Sequence, residues 1–444
     1  MTHLDEARRD AADALVAFVH DDPTIEKAVL LDDVFGSVRA VVWLRQEGDT
    51  TQLRERLTAI LAKAAGESFW SGQVWIHSSG TPKSDSLVYD RAWDEGRPIP
   101  SSDRVRITDQ LRSRLAWFRA PQQPPWSVRD ADSSAPRIVS FYSFKGGVGR
   151  TTALASFAVR RARAGDTVVV VDMDFDAPGA GILLAADEAG TTAPWGVVDY
   201  LLERRRGSVT LSDYYHTCAR QEIAGNGTIR CFPAGRLDND YLTKIARLDF
   251  EGSSDDLPVR DLLMQIRDEL NPHWILLDVR AGLSPAAGIL LSGLAHAYVL
   301  FASTSIQSWL GTRRVLHRLG AERLLNGQAQ ADCVLVQAMV PEVASASNLA
   351  RADFAQQAED AFVAEYYAEP LDDSEQADDE VWSVNDLDSS QAPHVPVPLP
   401  YTVRLAFFRD LGEVAEDLAT LPDYKLLEDR ICDRFPSAGG QWQD

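Results

Sequence analysis

Two spacings of hydrophobic residues divide the chain. From residue 136 to 435, short apolar runs at 137–142, 167–171, 228–233, 274–278, 297–302, 333–337 and 395–400 are separated by longer stretches of helical periodicity. The runs at 167–171 and 274–278 lack alternating polar positions, the pattern of a strand buried on both faces. Between the runs, apolar residues recur every three or four positions. In 259–270, Leu262, Leu263, Ile266 and Leu270 share one helical face. Further helices are expected at 153–164, 193–206 and 349–367, at a stretch ending at 319, and in two closing segments, 410–418 and 424–435. Strands alternating with helices predict an α/β domain built on a doubly wound, mostly parallel sheet.

Residues 1–120 follow another rhythm. A helix is expected up to residue 19, strands at 25–31 and 37–44, a helix at 51–65 and a strand at 72–77. An edge strand at 86–93 and a helix at 108–118 complete a small α+β domain, with a split-βαβ sheet as its expected arrangement. Residues 121–135 contain PQQPP and DADSSAP and read as a Pro/Ser-rich linker. The expected division is therefore 1–120, a linker at 121–135, and an α/β domain at 136–435. No catalytic constellation stands out in residues 1–120. Trp70, Trp75, Trp93, Trp117 and Trp126 supply either core or a partner-binding surface.

Candidate chemistry concentrates after the run 137–142. There the chain reads Lys145, Gly146, Gly147, Val148, Gly149, Arg150, Thr151, Thr152 and enters a helix with a basic last turn at Arg160, Arg161 and Arg163. Glycines at a strand-to-helix turn let main-chain N–H groups converge on an anion without Cβ obstruction. The helix dipole adds partial positive charge there. A Thr151 hydroxyl can take one position on Mg²⁺. The usual phosphate loop is G-x-x-x-x-G-K-[ST]; here Phe144 replaces its first glycine and Arg150 its lysine. Two carboxylate-ended strands follow, closing on Asp172 with Asp174 two residues later, and on Asp278 with Arg280 beyond it. Carboxylates at the ends of parallel strands face the crevice where ligands bind.

The early Lys145 followed by two glycines resembles the signature lysine of the deviant Walker A ATPases of the ParA/MinD type, K-G-G-x-G-K-[ST]-T, in a subgroup with Arg at the sixth position. The resemblance covers 135–435. It implies ATP and Mg²⁺ as cofactors, slow hydrolysis, and a nucleotide-dependent homodimer in which Lys145 reaches the partner's phosphates. Carried over by position, 145–152 would bind nucleotide, and Thr151, Asp172 and Asp278 would hold the metal. Asp174 would position the attacking water. The strand 274–278 has the Walker B form. Arg280 departs from the family's usual D-x-P or D-S-P segment. It would either stabilise transition-state charge or pair with Asp172 or Asp174. The segment after 333–337 would lie against the base, although the Asn common there is missing. Arg150 leaves two other readings open: a nucleotide-gated binding module with little hydrolysis, and a partition-type DNA or cargo positioner.

Charge and cysteine content narrow the partners. The net charge is -22 and the pI about 4.8, so the whole-chain field repels nucleic acid and anionic lipid. Cys218, Cys231, Cys333 and Cys432 are scattered, which argues for the cytoplasm and against a disulfide frame or structural zinc. No signal peptide, membrane span or basic membrane anchor is expected. Between Arg351 and Arg404 there is no Lys or Arg, and LDDSEQADDE is the densest acidic stretch. A flexible acidic insert is expected at about 370–394, either solubilising or a dock for a basic partner. A protein partner would engage that insert or residues 1–120. The resemblance places such chains as regulators in bacterial signalling or defence-like systems.

Overall fold

The computed structural model describes residues 3–33, 36–46, 50–78, 83–94, 96–109, 115–118, 120–128, 134–248, 258–368 and 381–435. The chain separates into two units, 1–113 and 114–444.

In the first unit, α1 (Leu4–Asp21) leads into an antiparallel hairpin of β1 (Ile25–Asp32) and β2 (Val38–Leu44). α2 (Thr50–Ala65) crosses to β3 (Trp70–His77), which pairs parallel with β2. α3 (Lys83–Asp94), β4 (Arg97–Ile99) and β5 (Ser102–Asp109) follow, and the sheet order is β3-β2-β1-β5-β4. Period-two alternation sorts the two faces. Val38, Ala40 and Val42 join Leu15 of α1 and Leu57 of α2, whereas Val41 and Trp43 join Ala92 of α3.

Three expectations fail in this unit. Residues 86–93 lie in helix α3, not in an edge strand. Tyr89, Ala92 and Trp93, spaced three and four apart, meet the sheet, and this tertiary packing overrides the β-propensity of Val, Tyr and Trp. The helix expected at 108–118 is also absent: Thr108 and Asp109 end β5, and Leu115–Phe118 is a single 3-10 turn of the second unit. Residues 110–114 lie outside the described residues. The sheet is not a split βαβ, because β2 and β3 are direct neighbours.

The second unit carries an eight-stranded sheet. Its strands are β6 (Arg137–Ser143), β7 (Thr167–Met173), β8 (His216–Cys218), β9 (Thr228–Phe232), β10 (Trp274–Val279), β11 (Ala297–Ala302), β12 (Cys333–Val340) and β13 (Val397–Pro400). The order is β13-β12-β11-β6-β10-β7-β9-β8, parallel throughout except for β8. Both faces are apolar: Ile138 and Tyr142 of β6 enter one core, Val139 and Phe141 the other, and Ile275 and Leu276 of β10 divide likewise. This is the doubly wound α/β sheet. β6 lies between β10 and β11, so the chain winds away from it in opposite directions and leaves a crevice at its carboxyl end.

The described part of the expected linker, 121–128 and 134–135, is instead a strap on this unit; 129–133 lie outside the described residues. Trp117 Nε1 donates to the Ser284 carbonyl at 2.7 Å, Gln122 N to Ser292 O at 2.6 Å, and Trp126 Nε1 to Pro136 O at 2.7 Å. Proline content marked an extended segment, but the tryptophans give it something to bury. The insert expected at 370–394 also needs correction. Residues 369–380 lie outside the described residues, but 381–394 are folded onto the domain. Trp382, Val384 and Leu387 pack against the core, Ala392 is fully buried, and Tyr367 Oη meets His394 Nδ1 at 2.6 Å. Acidic composition hid these apolar anchors. Among the described residues, no helix is long and apolar enough to cross a membrane.

Candidate functional site

The carboxyl end of β6 runs through Phe144 and the glycine loop into α4 (Arg150–Arg163). Gly147 has φ 73° and Gly149 φ 83°, a left-handed conformation that side chains disfavour. A Cβ built on Gly146, Gly147 or Gly149 meets nothing within 4 Å. The loop therefore presents open space beside three glycines at the head of a fourteen-residue helix. That is the form of a polyphosphate cradle.

The cleft beside this loop measures about 660 Å³. One wall is Gly146, Gly147, Val148, Gly149, Arg150, Thr151 and Thr152, with Asp174 and Arg280. The other is Met339, Leu399, Pro400, Tyr401, Thr402, Leu405, Phe408 and Tyr424. A lining that joins charged and glycine-rich residues to apolar, aromatic ones suits a ligand with an anionic tail and a flat apolar head. Met339, at the end of β12, has φ 60°, unusual for a residue with a side chain. The apolar wall beyond Met339 was missed as a site from sequence. Its signal was the apolar run at 395–400, whose carboxyl end opens on the crevice.

Under the loop lies a compact ionic group. Arg150 is 8% exposed. Its Nε donates to Asp278 Oδ1 at 2.6 Å and its Nη2 to Asp174 Oδ2 at 2.9 Å. Thr151 Oγ1 donates to Asp278 Oδ2 at 2.8 Å. Asp174 Oδ1 also accepts from Ala177 N at 3.2 Å. One guanidinium thus joins the end of β10 to the loop after β7.

Asp172, expected to hold the metal, is bonded here to backbone N–H groups. Its Oδ1 accepts from Asp174 N at 3.1 Å, and its Oδ2 accepts from the backbone N–H groups of Gly179 and Ala180 at 3.0 Å and Gly181 at 3.4 Å. It is fully buried and organises the loop it starts, without lining the cleft. Burial, and next the charge of Asp278, push its pKa up to about 7. Burial also raises Asp278, against the lowering pull of Arg150 and Thr151.

Of the two alternatives expected for Arg280, the structure bears on the pairing one only, and there the partner differs. Arg280 lines the cleft but forms its ion pair with Asp176, not with Asp172 or Asp174. Lys145 is exposed and has no hydrogen bond or ion pair to another described residue. The structure therefore brings Arg150, Thr151, Asp174 and Asp278 into direct contact, places Arg280 at the cleft wall, and leaves Lys145 projecting from the loop and Asp172 behind it.

The donor set can be tested against a magnesium nucleotide. The open cradle fits a polyphosphate. The charge balance fits a dication, because Asp174 and Asp278 share a single guanidinium, Asp172 lies close enough to Asp278 for the Asp278 charge to raise its pKa, and burial already disfavours the charged forms of Asp172 and Asp278. Thr151 and Asp278 are the residues positioned to hold it.

No protein-family model matches the chain, and no curated protein matches it. Among solved structures, the septum site-determining protein MinD complexed with Mg-ADP from Pyrococcus horikoshii OT3 is 20% identical, with 47% of this chain and 72% of that one covered and a TM-score of 0.34. A plasmid partition protein of Borrelia burgdorferi B31 bound to AMPPNP is 13% identical, covering 66% and 99%, with a TM-score of 0.42. The pNOB8 ParA bound to nonspecific DNA is 16% identical, covering 67% and 98%, with a TM-score of 0.43.

Proposed function

We propose that this chain is a magnesium-dependent ATP switch that hydrolyses slowly and dimerises around its nucleotide, regulating a partner in bacterial signalling or defence-like systems. The observation that carries the reading is the open three-glycine cradle at the head of α4, with Thr151 and Asp278 joined beneath it at 2.8 Å. Main-chain N–H groups of 146–152 hold the phosphates, aided by the helix dipole. The apolar wall from Met339 to Tyr424 takes the base. Bound magnesium supplies neutralisation of phosphate charge, and Thr151 and Asp278 are the residues that hold it. Asp174, at the cleft and 7% exposed, orients the attacking water once Arg150 releases it. Lys145, projecting from the loop, serves the phosphates of a second copy.

Calorimetry with ATP and with GTP, each with magnesium and with EDTA, tests the reading. Heat with a purine nucleotide and magnesium, and weaker binding in EDTA, is the expected result. No heat at millimolar nucleotide overturns it.

A nucleotide-gated module without appreciable hydrolysis is favoured by one observation: Arg150 already occupies both Asp174 and Asp278, the carboxylates that hydrolysis needs. Single-turnover phosphate release from labelled ATP separates the two readings. Salt-dependent DNA retention tests the partition-type alternative.

A further inference from the structure

We propose that Arg150 is a latch: a positioning residue that, without nucleotide, clamps the loop after β7 to the end of β10, and whose transfer to phosphate frees both carboxylates. The inference rests on the nucleotide-binding reading above and adds the regulation of that site. At this loop position a cation is expected to serve the ligand. Here its Nε and Nη2 are instead bonded to Asp278 and Asp174, 128 and 24 residues away in sequence. The connection continues from Asp174 through its backbone N–H to Asp172, which gathers the N–H groups of Gly179, Ala180 and Gly181. Arg150 therefore anchors this segment alongside Tyr241, whose Oη donates to the Phe175 carbonyl at 2.9 Å, and Arg280, which pairs with Asp176.

The arrangement is stable only while no stronger anion competes. Arg150 is almost fully buried, so its two carboxylate bonds are weakly screened, and separating them without a substitute leaves charges stranded. A polyphosphate beside Gly149 offers that substitute. Arg150 also lines the cleft, and a guanidinium carries five N–H donors, only part of which the two aspartates use. When Arg150 turns to phosphate, Asp278 loses one of its two donors and Asp174 its only side-chain partner here. Asp278 is then open to a cation, and 174–181 loses its Arg150 tie while keeping its backbone bonds, the Tyr241 Oη bond to the Phe175 carbonyl and the Arg280–Asp176 pair. A lysine cannot reproduce the clamp, because one ammonium lacks two donors held apart by a planar fork.

The test is amide hydrogen exchange on the full chain, read at Asp174, Gly179, Ala180 and Gly181. Wild-type, Arg150→Lys and Asp174→Asn proteins are compared without nucleotide and with ADP and magnesium. The latch requires protection of these amides in nucleotide-free wild-type protein. It also requires exchange roughly tenfold or more faster in either variant without nucleotide, and a similar acceleration when wild-type protein binds ADP. Unchanged exchange in a folded variant overturns the latch. So does unchanged exchange in wild-type protein that calorimetry shows to be saturated with ADP. Absence of ADP heat in wild-type protein instead overturns the nucleotide reading, and the nucleotide-free comparison still reads the clamp. Asp174→Asn is close in shape to the native residue and keeps the test open if Arg150→Lys does not fold.

Discussion

Phe144 lies directly over Gly311: a Cβ at 311 would stand 1.9 Å from the Phe144 Cγ. The ring that replaces the usual first glycine of a phosphate loop is therefore accommodated by a second glycine, in the helix Ile306–Leu319. The contact sets where the loop begins, one residue before Lys145. Gly311→Ala is expected to cost about 1–3 kcal/mol by overpacking, since the obstructed atom is near the Phe144 backbone and cannot swing aside. Nucleotide affinity should fall with it. Urea unfolding and calorimetry measure the two effects. The double variant with Phe144→Ala should recover part of the Gly311→Ala loss, and strict additivity would remove the contact from the account.

Lys145 differs from Arg150 in having no partner within the chain among the described residues. An exposed cation spending no energy on internal pairs is free to serve another subunit. Lys145→Ala should leave nucleotide binding by the single chain within about threefold of wild type, a change of under ~1 kcal/mol. It should abolish nucleotide-dependent dimerisation. Light scattering with a nonhydrolysable ATP analogue checks this, and a dimer that survives the substitution rules out the role across subunits.

The central sheet was legible because β7 and β10 are too apolar to be anything but strands buried on both faces, and the cradle because glycines favour the left-handed φ of 147 and 149. Two kinds of feature were not legible. One is the choice between helix and strand where local preference is weak. Residues 83–94 hold β-formers yet form a helix because Tyr89, Ala92 and Trp93 find the sheet, and the alternation of Arg104, Val105, Arg106 and Ile107 spans too few positions to announce β5. The other is pairing created by chain closure. Arg150 and Asp278 meet only because β10 lies beside β6, so no local spacing shows that the loop cation is already taken.

Trp382 tests the corrected account of the acidic region. Its ring packs on the core and lies 5.5 Å from the Arg434 guanidinium, and its carbonyl accepts from Gln330 Nε2 at 2.6 Å. Trp382→Ala is expected to destabilise the second unit by about 2–4 kcal/mol. Thermal and urea unfolding of the full chain measure it. A neutral Trp382→Ala would mean that 381–394 contribute nothing to the fold.

In the first unit, Asp32 and Asp109 end the adjacent parallel strands β1 and β5 in register and share one cation. Arg8 Nε lies 3.1 Å from Asp32, and Arg8 Nη2 lies 2.7 Å from Asp109. Asp32 is 4% exposed. Burial raises its pKa to about 6, Arg8 opposes that, and Asp109 and Asp33 add to it. The unfolded value is about 3.9, so between roughly pH 4 and 6 the folded chain binds more protons than the unfolded one. The Asp32 contribution to stability is therefore full below about pH 4, declines as pH rises to about 6, and is flat above that. Asp32→Asn removes this titration. The wild-type minus variant difference in unfolding free energy should shift against wild type by about 1–3 kcal/mol between pH 4.5 and 7. Urea titrations at half-unit pH steps measure it. A difference constant with pH would show that Arg8 holds Asp32 ionised across the range, and that one guanidinium is enough for both carboxylates.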